Sequence, residues 1–287
     1  MLLTLSGWSR CDFNTYSQAC SMFGYSAESS PEFVKFMLDN GADLKFVAHS
    51  KNGKLLGAAC IDNGWVLNDF KNNNKSMWCL PLPVSCIQLP ISKKAKCVAP
   101  FKSRCLSPEN KNILNTSMRF SKRQEAIAKK TADFSKKTQQ TRQREIRKFL
   151  ADGGGFVDVA SVPHEELFDS YNKLLEKRWG HGLENHDLNR AFFESFHKYF
   201  FGDVATMNGE IVGIQLLLKT SSVSGTYIDF LNVGYDTDIK HPIGTMLMWR
   251  NIELADEIDG CKFSFGFMSG EYKKRWCTPR RLLRIVY

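Results

Sequence analysis

The sequence lacks the cysteine and histidine patterns that mark metal and redox sites. Its 9 cysteines include no Cys-x-x-Cys pair, and its 6 histidines show no metal-ligand spacing. Neither a zinc site nor a thioredoxin-like motif is therefore indicated. An odd cysteine count also argues against a fully paired disulfide framework. We expect no metal and a reducing, cytoplasmic environment.

Long apolar runs are missing as well. No window reaches about 18 uninterrupted apolar residues, because charges or glycine interrupt every candidate, including FFESFHKYFFG at 192–202. The segment MLLTLSGWSR places Trp8 and Arg10 too early for the apolar core and cleavage site of a signal peptide. We expect neither a transmembrane span nor a signal peptide.

The composition has no bias of the kind that marks disordered chains. Of 287 residues, 43% are hydrophobic and 24% are charged, which is ordinary for globular proteins. A chain of this length suffices for one large or two modest domains with a hydrophobic core.

Positive charge is in excess, and it is concentrated in two segments. The net charge is +9, of which residues 121–148 carry +7 and residues 271–287 carry +5, so the rest of the chain is slightly acidic. Localised charge of one sign points to a polyanionic partner. Nucleic acid, an anionic bilayer and a phosphorylated ligand all remain open.

Two segments about half a chain apart resemble each other. Residues 51–58 read KNGKLLGA and residues 207–214 read MNGEIVGI, each with an apolar run before and after Asn-Gly. This pattern predicts a β-hairpin, because both central residues of a type I′ turn need a positive φ. The similarity favours an internal repeat, with two unrelated hairpins as the alternative.

The second half alternates between strand and helix patterns. Strands are predicted at 155–160, 226–233 and 261–268, helices at 162–179, 186–201 and 242–259, a hairpin at 203–219 and a last helical turn at EYKKRW. This order predicts an α/β fold in which helices cover a mostly antiparallel sheet. In the first half we expect a helix near 31–39, a hairpin at 44–61, and short edge strands and loops at 79–108.

A basic amphipathic helix is predicted between the halves. It starts after Ser135, a suitable N-cap, and ends before the glycines at 153–155. Ile146, Phe149 and Leu150 form a narrow apolar stripe. The opposite face, suited to a polyanion or a membrane surface, holds Lys136, Lys137, Arg144, Arg147 and Lys148. Arg142 falls on the apolar side, where it either pairs with a carboxylate at the core edge or points into a cleft to bind substrate or anion.

The two-fold layout, SKKTQQTRQREIRKFLADGG at 135–154, the NGEIVGIQLLLKT hairpin and GEYKKRW at 270–276 resemble FemABX-type members of the Gcn5-related N-acyltransferase superfamily. This resemblance implies two tandem acyltransferase-like domains with mostly antiparallel central sheets flanked by helices. It divides the chain into a partial or divergent N-terminal domain at 1–134, the basic helix at 135–154 and a C-terminal domain at 155–287.

A closer resemblance is to the bacterial Mig family, named after a macrophage-inducible gene product. SGWSRCDFNTY at 6–16, NTSMRFSKRQ at 115–124 and PIGTMLMW at 242–249 carry it, and it covers nearly the full length. It implies a role in resistance to cationic antimicrobial peptides. The family is described both as transcription regulators and as envelope-associated resistance factors, so no single reaction follows from it.

The superfamily resemblance also implies a donor site. In Gcn5-related acyltransferases the pyrophosphate of acyl-CoA lies against N–H groups at the start of the helix after the fourth strand. The matching segment is HPIGT at 241–245, which makes Gly244 and Thr245 the candidate cofactor-binding residues. It keeps a single glycine, and Pro242 removes an N–H donor. Acyl-CoA, acyl carrier protein and aminoacyl-tRNA therefore all remain open as the donor.

Acyl transfer to an amine needs a base for the ammonium proton and donors for the oxyanion. The candidates expected near the cleft are Asp229, Tyr227, His241 and Tyr272. Each also has a structural interpretation, as an ion pair, a core residue, a helix cap or a helix staple. The closing basic run, which resembles the run beside the substrate groove of Fem-like domains or is a solvated helix end, consists of Lys273, Lys274 and Arg275.

Three functions are consistent with these patterns. The first is a Fem-like acyl- or aminoacyltransferase that modifies an envelope component or a peptide amine. The second is a DNA-binding regulator, although a basic helix alone supplies only phosphate contacts. The third is a non-catalytic factor held on the cytoplasmic face of the inner membrane by the basic helix. We favour the first, in a cytoplasmic protein that can also dock on the membrane.

Overall fold

Between residues 154 and 276 the strands and helices follow the apolar periodicity of the sequence closely. The computed structural model describes residues 7–69, 80 and 86–286. Its strands are β1 (Trp8–Cys11), β2 (Lys45–Lys51), β3 (Lys54–Asp62), β4 (Trp65–Val66), β5 (Thr116–Ser117), β6 (Gln124–Ala128), β7 (Gly154–Asp158), β8 (Asp203–Met207), β9 (Glu210–Ser222), β10 (Gly225–Tyr235), β11 (Lys262–Phe267), β12 (Cys277–Arg281) and β13 (Arg284–Ile285). Its helices are α1 (Phe13–Phe23), α2 (Pro31–Asp39), α3 (Lys136–Ala151), α4 (His164–Trp179), α5 (His186–Phe196), α6 (Ile243–Asp256) and α7 (Glu271–Trp276). None of these helices combines the length and apolar character that crossing a bilayer requires.

The strands form two main sheets. The first has the order β1-β2-β3-β4 and is antiparallel. The second has the order β12-β6-β11-β10-β9-β8-β7, in which β10 and β11 are parallel and the other neighbours are antiparallel. β5 and β13 form a separate short pair. The predicted α/β class with mostly antiparallel sheets and flanking helices is confirmed.

Both predicted Asn-Gly hairpins are present. Asn52 and Gly53 join β2 to β3 with φ angles of 51° and 72°, and Asn208 and Gly209 join β8 to β9 with φ angles of 52° and 89°. Two consecutive positive φ angles are the requirement of a type I′ turn. The Asn-Gly pattern therefore identified both turns correctly.

The likeness of the two hairpins extends beyond their turns. In each, the strand register shifts between the third and second residues before the asparagine. In each, the glycine five residues after the asparagine lies against another segment: a Cβ on Gly57 would clash with Ile91, and one on Gly213 would clash with Ile243. These shared irregularities support the internal repeat.

The basic helix forms as predicted. α3 begins after Ser135, whose side chain caps the first turn, and ends before Gly153, whose φ is 88°. Phe149 is fully buried and Ile146 is half-buried, but Leu150 is 47% exposed. The placement of Leu150 in the apolar stripe is therefore wrong. The helix contacts the rest of the fold along a line through Phe149, and the next residue already lies about 100° around the axis.

The largest hydrophobic core contains side chains from both halves of the chain. Phe33 and Phe36 of α2 pack against Phe192 and Phe196 of α5, with ring centroids 5.6 to 6.2 Å apart. β6, which precedes residue 134, also lies inside the second sheet. The halves are therefore interlocked, while the division into 1–134, 135–154 and 155–287 stays a prediction.

The cysteine- and proline-rich stretch forms loops with isolated bridges in its described part, 86–108, in place of edge strands. Residues 79 and 81–85 of that stretch lie outside the described residues. Ile87, Cys97, Phe101 and Leu106 are nevertheless buried in a second core. Prolines at 90, 100 and 108 remove N–H donors that a strand ladder needs, so this segment is buried without regular pairing.

The described cysteines are free, and most are buried. Burial raises the pKa of the Cys97 and Cys261 thiols to about 11 and that of the Cys20 and Cys277 thiols to about 12. Because the thiolate is the reactive form, the raised pKa values make these thiols poor nucleophiles at neutral pH.

Candidate functional site

A cleft opens where the two parallel strands of the second sheet separate. β10 and β11 pair up to Asp229 and Ser264, and both strands continue beyond that point. The register of β10 shifts after Phe230, and Gly266 in β11 takes a φ of 72°. The resulting cleft of about 600 Å³ is walled by the ends of α4 and β10, residues 236–242, the first turn of α6 and Tyr272.

The start of α6 brings the two candidate cofactor-binding residues, Gly244 and Thr245, into the wall of the cleft. The N–H groups of Ile243 and Thr245 donate to the carbonyls of His241 and Pro242. The N–H of Gly244 has no such acceptor among the described residues, and the helix dipole adds partial positive charge there. A Cβ on Gly244 would lie 2.9 Å from Cε1 of Tyr235. Glycine is therefore required here because the Tyr235 ring packs directly on the helix start.

His241 lines the same cleft and is held from two sides. Its Nε2 lies 3.1 Å from Oδ2 of Asp152, at the end of α3, and its ring packs edge-on against Phe149 with centroids 5.4 Å apart. Only 12% of the side chain is exposed. A hydrogen bond from Nε2–H to Asp152 would leave Nδ1 as the acceptor nitrogen.

A cluster that the sequence analysis did not single out completes the wall: Arg178, Trp179 and Tyr235. The Arg178 guanidinium lies 4.5 Å from the ring centroids of both Trp179 and Tyr235. Its Nη1 donates to the carbonyl of Val233. Trp179, the last residue of α4, is 55% exposed. No sequence spacing indicates this cluster, because Arg178 and Trp179 end α4 whereas Tyr235 ends β10.

The acidic group in the cleft wall is neutralised. Nζ of Lys177 lies 2.6 Å from Asp236 and 2.7 Å from Asp238. Burial is the largest single influence and raises the pKa of Asp236, but the hydrogen bonds from Lys177 and from the N–H of Asp238, together with the nearby lysine charges, outweigh it, so the pKa is lowered. Arg178, by contrast, has no ion pair with any carboxylate of the described residues. The cleft therefore favours an anionic ligand.

The four predicted catalytic residues fall in two places. His241 and Tyr272 line the cleft, whereas Tyr227 and Asp229 do not. The Tyr227 hydroxyl accepts a hydrogen bond from Nζ of Lys262 at 3.1 Å, and Asp229 is buried within the sheet. Their expected position beside the cleft is wrong, because both precede the point where β10 and β11 separate.

Tyr272 presents a hydroxyl group to the cleft, whereas His241 presents a ring nitrogen. It is 47% exposed, and burial of the rest of the side chain raises its pKa, with Arg178 opposing the shift. The hydroxyl stays protonated at neutral pH, where an ordinary tyrosine pKa is already about 10. Tyr272 is therefore a hydrogen-bond donor to the cleft.

The closing basic run is only partly available to an anion. Lys273 is buried and its Nζ donates to the carbonyls of Phe265 and Phe267 at 2.5 and 2.7 Å, and burial lowers its pKa. Lys274 pairs with Glu271. The expectation that Lys273 faces a ligand is wrong, because its ammonium group holds the end of β11. Arg275 is exposed.

The predicted polyanion face of α3 is exposed along its length, at Lys136, Lys137, Arg144, Arg147 and Lys148. Arg142 does not line the cleft; its Nη1 lies 2.8 Å from Oε2 of Glu145 on the same helix. Of the two predicted alternatives for Arg142, the structure therefore shows the ion pair with a carboxylate at the core edge. Because α3 ends beside His241, the basic face approaches the rim of the cleft.

The arrangement suits an anionic ligand with acyl transfer beside it. The helix start and Arg178 supply donors and positive charge, His241 supplies a proton acceptor and Tyr272 a donor. Across the part of the chain that the structure describes, no three His, Cys, Asp or Glu side chains come together as a metal site.

Known proteins share this architecture. A family model described as Mig-14 matches residues 30–285. The fold is similar to that of FemX, with a TM-score of 0.58 and 9% identity over 98% of this chain and 97% of FemX. It is also similar to L-PGS from Bacillus licheniformis, with a TM-score of 0.55 and 13% identity over 96% of this chain and 92% of L-PGS. A search of curated proteins found no match. At these identities the likeness shows a shared fold, and the resemblance to Mig and Fem-like proteins is confirmed.

Proposed function

Because the chain belongs to the Mig-14 family and shares its fold with FemX, we propose that it is an acyl- or aminoacyltransferase. It binds an activated donor in the cleft and transfers the acyl group to an amine of an envelope component or a peptide. That modification raises resistance to cationic antimicrobial peptides. The cleft at the separation of β10 and β11, against the start of α6, is the observation that carries this proposal.

The transfer forms one bond and breaks another. The amine nitrogen attacks the acyl carbonyl carbon and forms an amide. The bond from that carbon to the sulfur of a thioester donor, or to the oxygen of an aminoacyl ester, breaks, and the leaving atom takes up a proton. The N–H of Gly244 and the side chain of Thr245, both in the cleft wall, hold the anionic part of the donor together with Arg178. The protonated hydroxyl of Tyr272 donates to the leaving atom.

His241 accepts the proton that the amine loses. Asp152 is a positioning residue, because its contact with Nε2 fixes the ring. We expect His241→Gln to lower turnover by about 10²- to 10⁴-fold, the usual contribution of a general base. Asp152→Asn should lower kcat by less and move the pH–rate profile. An unchanged profile in Asp152→Asn would leave that residue a purely structural role.

Donor binding is tested by native mass spectrometry of protein purified from a bacterial lysate. CoA, acyl-carrier and tRNA-derived masses are sought on the wild type. Gly244→Trp, which would fill the space beside Tyr235, should lose the bound mass. Val223→Trp, at a 70% exposed position outside the cleft wall, should keep it. The proposal fails if the wild type carries no donor and binds none of the three classes in titration.

One observation favours membrane docking as a second function. Between β5 and β6, Phe120 is 60% exposed and Met118 is 47% exposed. Arg119 and Lys122 alternate with them and are exposed too. Apolar side chains flanked by cations suit an anionic bilayer surface. This loop and the basic face of α3 would hold the protein peripherally on the cytoplasmic side of the inner membrane.

Docking is tested by co-sedimentation with vesicles. Binding should require anionic lipid and should weaken in a Met118→Ser, Phe120→Ser double variant. Equal binding to zwitterionic vesicles would contradict it. The basic face of α3 equally fits a tRNA donor or DNA, and phosphate contacts alone give affinity that falls steeply with salt. Base-sequence discrimination would support the DNA-binding regulator instead.

A further inference from the structure

Arg178 and Trp179 in the cleft wall combine a cation with an exposed aromatic ring. A site for phosphate alone needs the cation but not the ring. The guanidinium carbon lies 4.5 Å from the ring centroids of both Trp179 and Tyr235. A guanidinium that packs against rings still presents the N–H groups at its edge to a ligand. One of these groups is used by the carbonyl of Val233.

The Trp179 side chain, unlike the half-buried Arg178, is largely exposed. Arg178 covers one face of Trp179, yet 55% of the residue is exposed. Large apolar side chains left exposed in a concave site mark ligand contacts more often than scattered surface ones do. A second exposed aromatic residue, Tyr272, lines the same cleft. A flat, π-rich ligand group can therefore stack on the indole while an anionic group meets the edge of Arg178.

We propose that Trp179 and Arg178 form a subsite for an adenine nucleotide, with the base stacked on Trp179 and a phosphate oxygen bound by Arg178. The inference rests on the proposed function and narrows its donor. CoA and the 3′ end of a charged tRNA both end in adenosine next to phosphate. The phosphopantetheine arm of an acyl carrier protein carries a phosphate but no base, so the carrier is the donor that this subsite disfavours.

Position supports this assignment. The first turn of α6 and His241 lie in the same cleft wall as the subsite, so one elongated donor can reach both. The ion pair of Asp236 with Lys177 removes the charge that would repel a phosphate there. Arg178 keeps its own charge uncompensated by any described carboxylate.

Isothermal titration distinguishes the possible ligands. The probes are adenosine 3′,5′-bisphosphate, CoA, 4′-phosphopantetheine, and two RNA acceptor-stem hairpins that differ only in the terminal adenosine. We expect the bisphosphate to bind and the phosphopantetheine to bind more weakly than CoA. Tighter binding of CoA names a thioester donor, and tighter binding of the complete hairpin names a tRNA.

Trp179→Ala should weaken binding of the adenosine-containing probes by about 5- to 150-fold, the range for loss of one base–aromatic stack. Trp179→Phe should restore most of it. Leu114→Ala, at a comparably exposed apolar position outside the cleft wall, is the matched control and should bind as the wild type does. The adenosine subsite is wrong if phosphopantetheine or acyl carrier protein binds as tightly as CoA and Trp179→Ala binds CoA as the wild type does. That result would leave the transferase proposal intact. If none of the probes binds and no donor is found on the protein or in titration, both the subsite and the transferase proposal are contradicted.

Discussion

The ion pair between Glu125 and Arg280 ties β6 to β12 inside the second sheet. Glu125 is 1% exposed, and Arg280 donates to it from Nε and Nη2 at 2.8 and 2.5 Å. Loss of one partner of a buried pair leaves an uncompensated charge at a cost of about 3–5 kcal/mol. We expect Arg280→Ala to lower the free energy of unfolding by that amount, measured by urea denaturation. Arg281→Ala, at the exposed next position, should stay within about 0.5 kcal/mol of the wild type; equal losses would contradict the role of the pair.

A second ion pair, Glu109 with Lys262 at 2.9 Å, gives a pH-dependent contribution. The hydrogen bond from Lys262 lowers the pKa of Glu109 below its ordinary value of 4.5. The stabilisation is therefore complete above that ordinary value and is lost as the pH falls through the lowered pKa. Glu109→Gln should cost about 0.2–1 kcal/mol at pH 7, because solvent screens the pair. The difference from the wild type should vanish at low pH, and a difference that grows in acid would rule this out.

Cleft residues could be predicted only where a local pattern names them. The sequence pattern predicts the helix start near Pro242, and the superfamily resemblance assigns His241, Gly244 and Thr245 to the cleft there. Arg178 and Trp179 close a helix as ordinary residues do, and only packing brings them to the cleft. A sequence without coordinates cannot show which helix ends meet.

Lys273 illustrates the opposite error. Lysine is among the residues least often buried, so a basic run at a helix end indicates a solvated or ligand-facing surface. Here the flexible side chain of Lys273 reaches back to two main-chain carbonyls of β11, a partner that no sequence pattern reveals.

Close packing of α6 on β9 depends on Gly213. A Cβ there would clash with Ile243 and would lie 3.0 Å from Cδ1 of Leu247, so Gly213→Ala must push the helix outward. We expect a loss of about 1–3 kcal/mol, typical of overpacking, and weaker donor binding, because the cleft wall begins at the same turn. Thermal denaturation and titration measure the two effects.

The matched control for this variant lies two strands away. A Cβ on Gly155 would meet only the rotatable Oγ1 of Thr206, at 2.9 Å. Gly155→Ala should therefore be close to neutral in both measurements. If it destabilises the protein as much as Gly213→Ala does, the contact with α6 is not the cause.

Strands and helices that a local sequence pattern marks could be predicted. Strands whose partners lie far away in the sequence could not. Asn-Gly identified two hairpins, and the same rule would have found a third at Asn63 and Gly64, whose φ angles are 48° and 80°. The pairing of β6 between β11 and β12 depends on residues 137 to 157 positions apart, which hydrophobic periodicity does not encode.

The shared core predicts that the two halves unfold as one cooperative unit. Because Phe33 and Phe36 pack against α5, unfolding of either half exposes apolar surface of the other. Differential scanning calorimetry should show a single transition with equal calorimetric and van't Hoff enthalpies. Phe36→Ala should shift the whole transition to lower temperature, as expected for a loss of about 3–5 kcal/mol. Two separated transitions, with only one shifted, would show that the halves unfold independently.

The tandem layout was visible in the repeated hairpin, and the interlocking of the halves was not. Localised charge predicted the exposed face of α3 correctly, since charged side chains stay in solvent unless paired. It could not predict that Asp152, at the end of that helix, meets His241.

The buried free cysteines can report unfolding of this protein through their chemical labelling. Cys20, Cys60, Cys86, Cys97, Cys105 and Cys277 are buried, whereas Cys11 and Cys261 are only partly so. An alkylating reagent reaches a buried thiol only when the surrounding core opens, so mass added at the six buried positions records the molecules in which the core has opened. Following the label at these six positions over time, apart from the label at Cys11 and Cys261, would measure opening of the protein without dye, tag or engineered reporter.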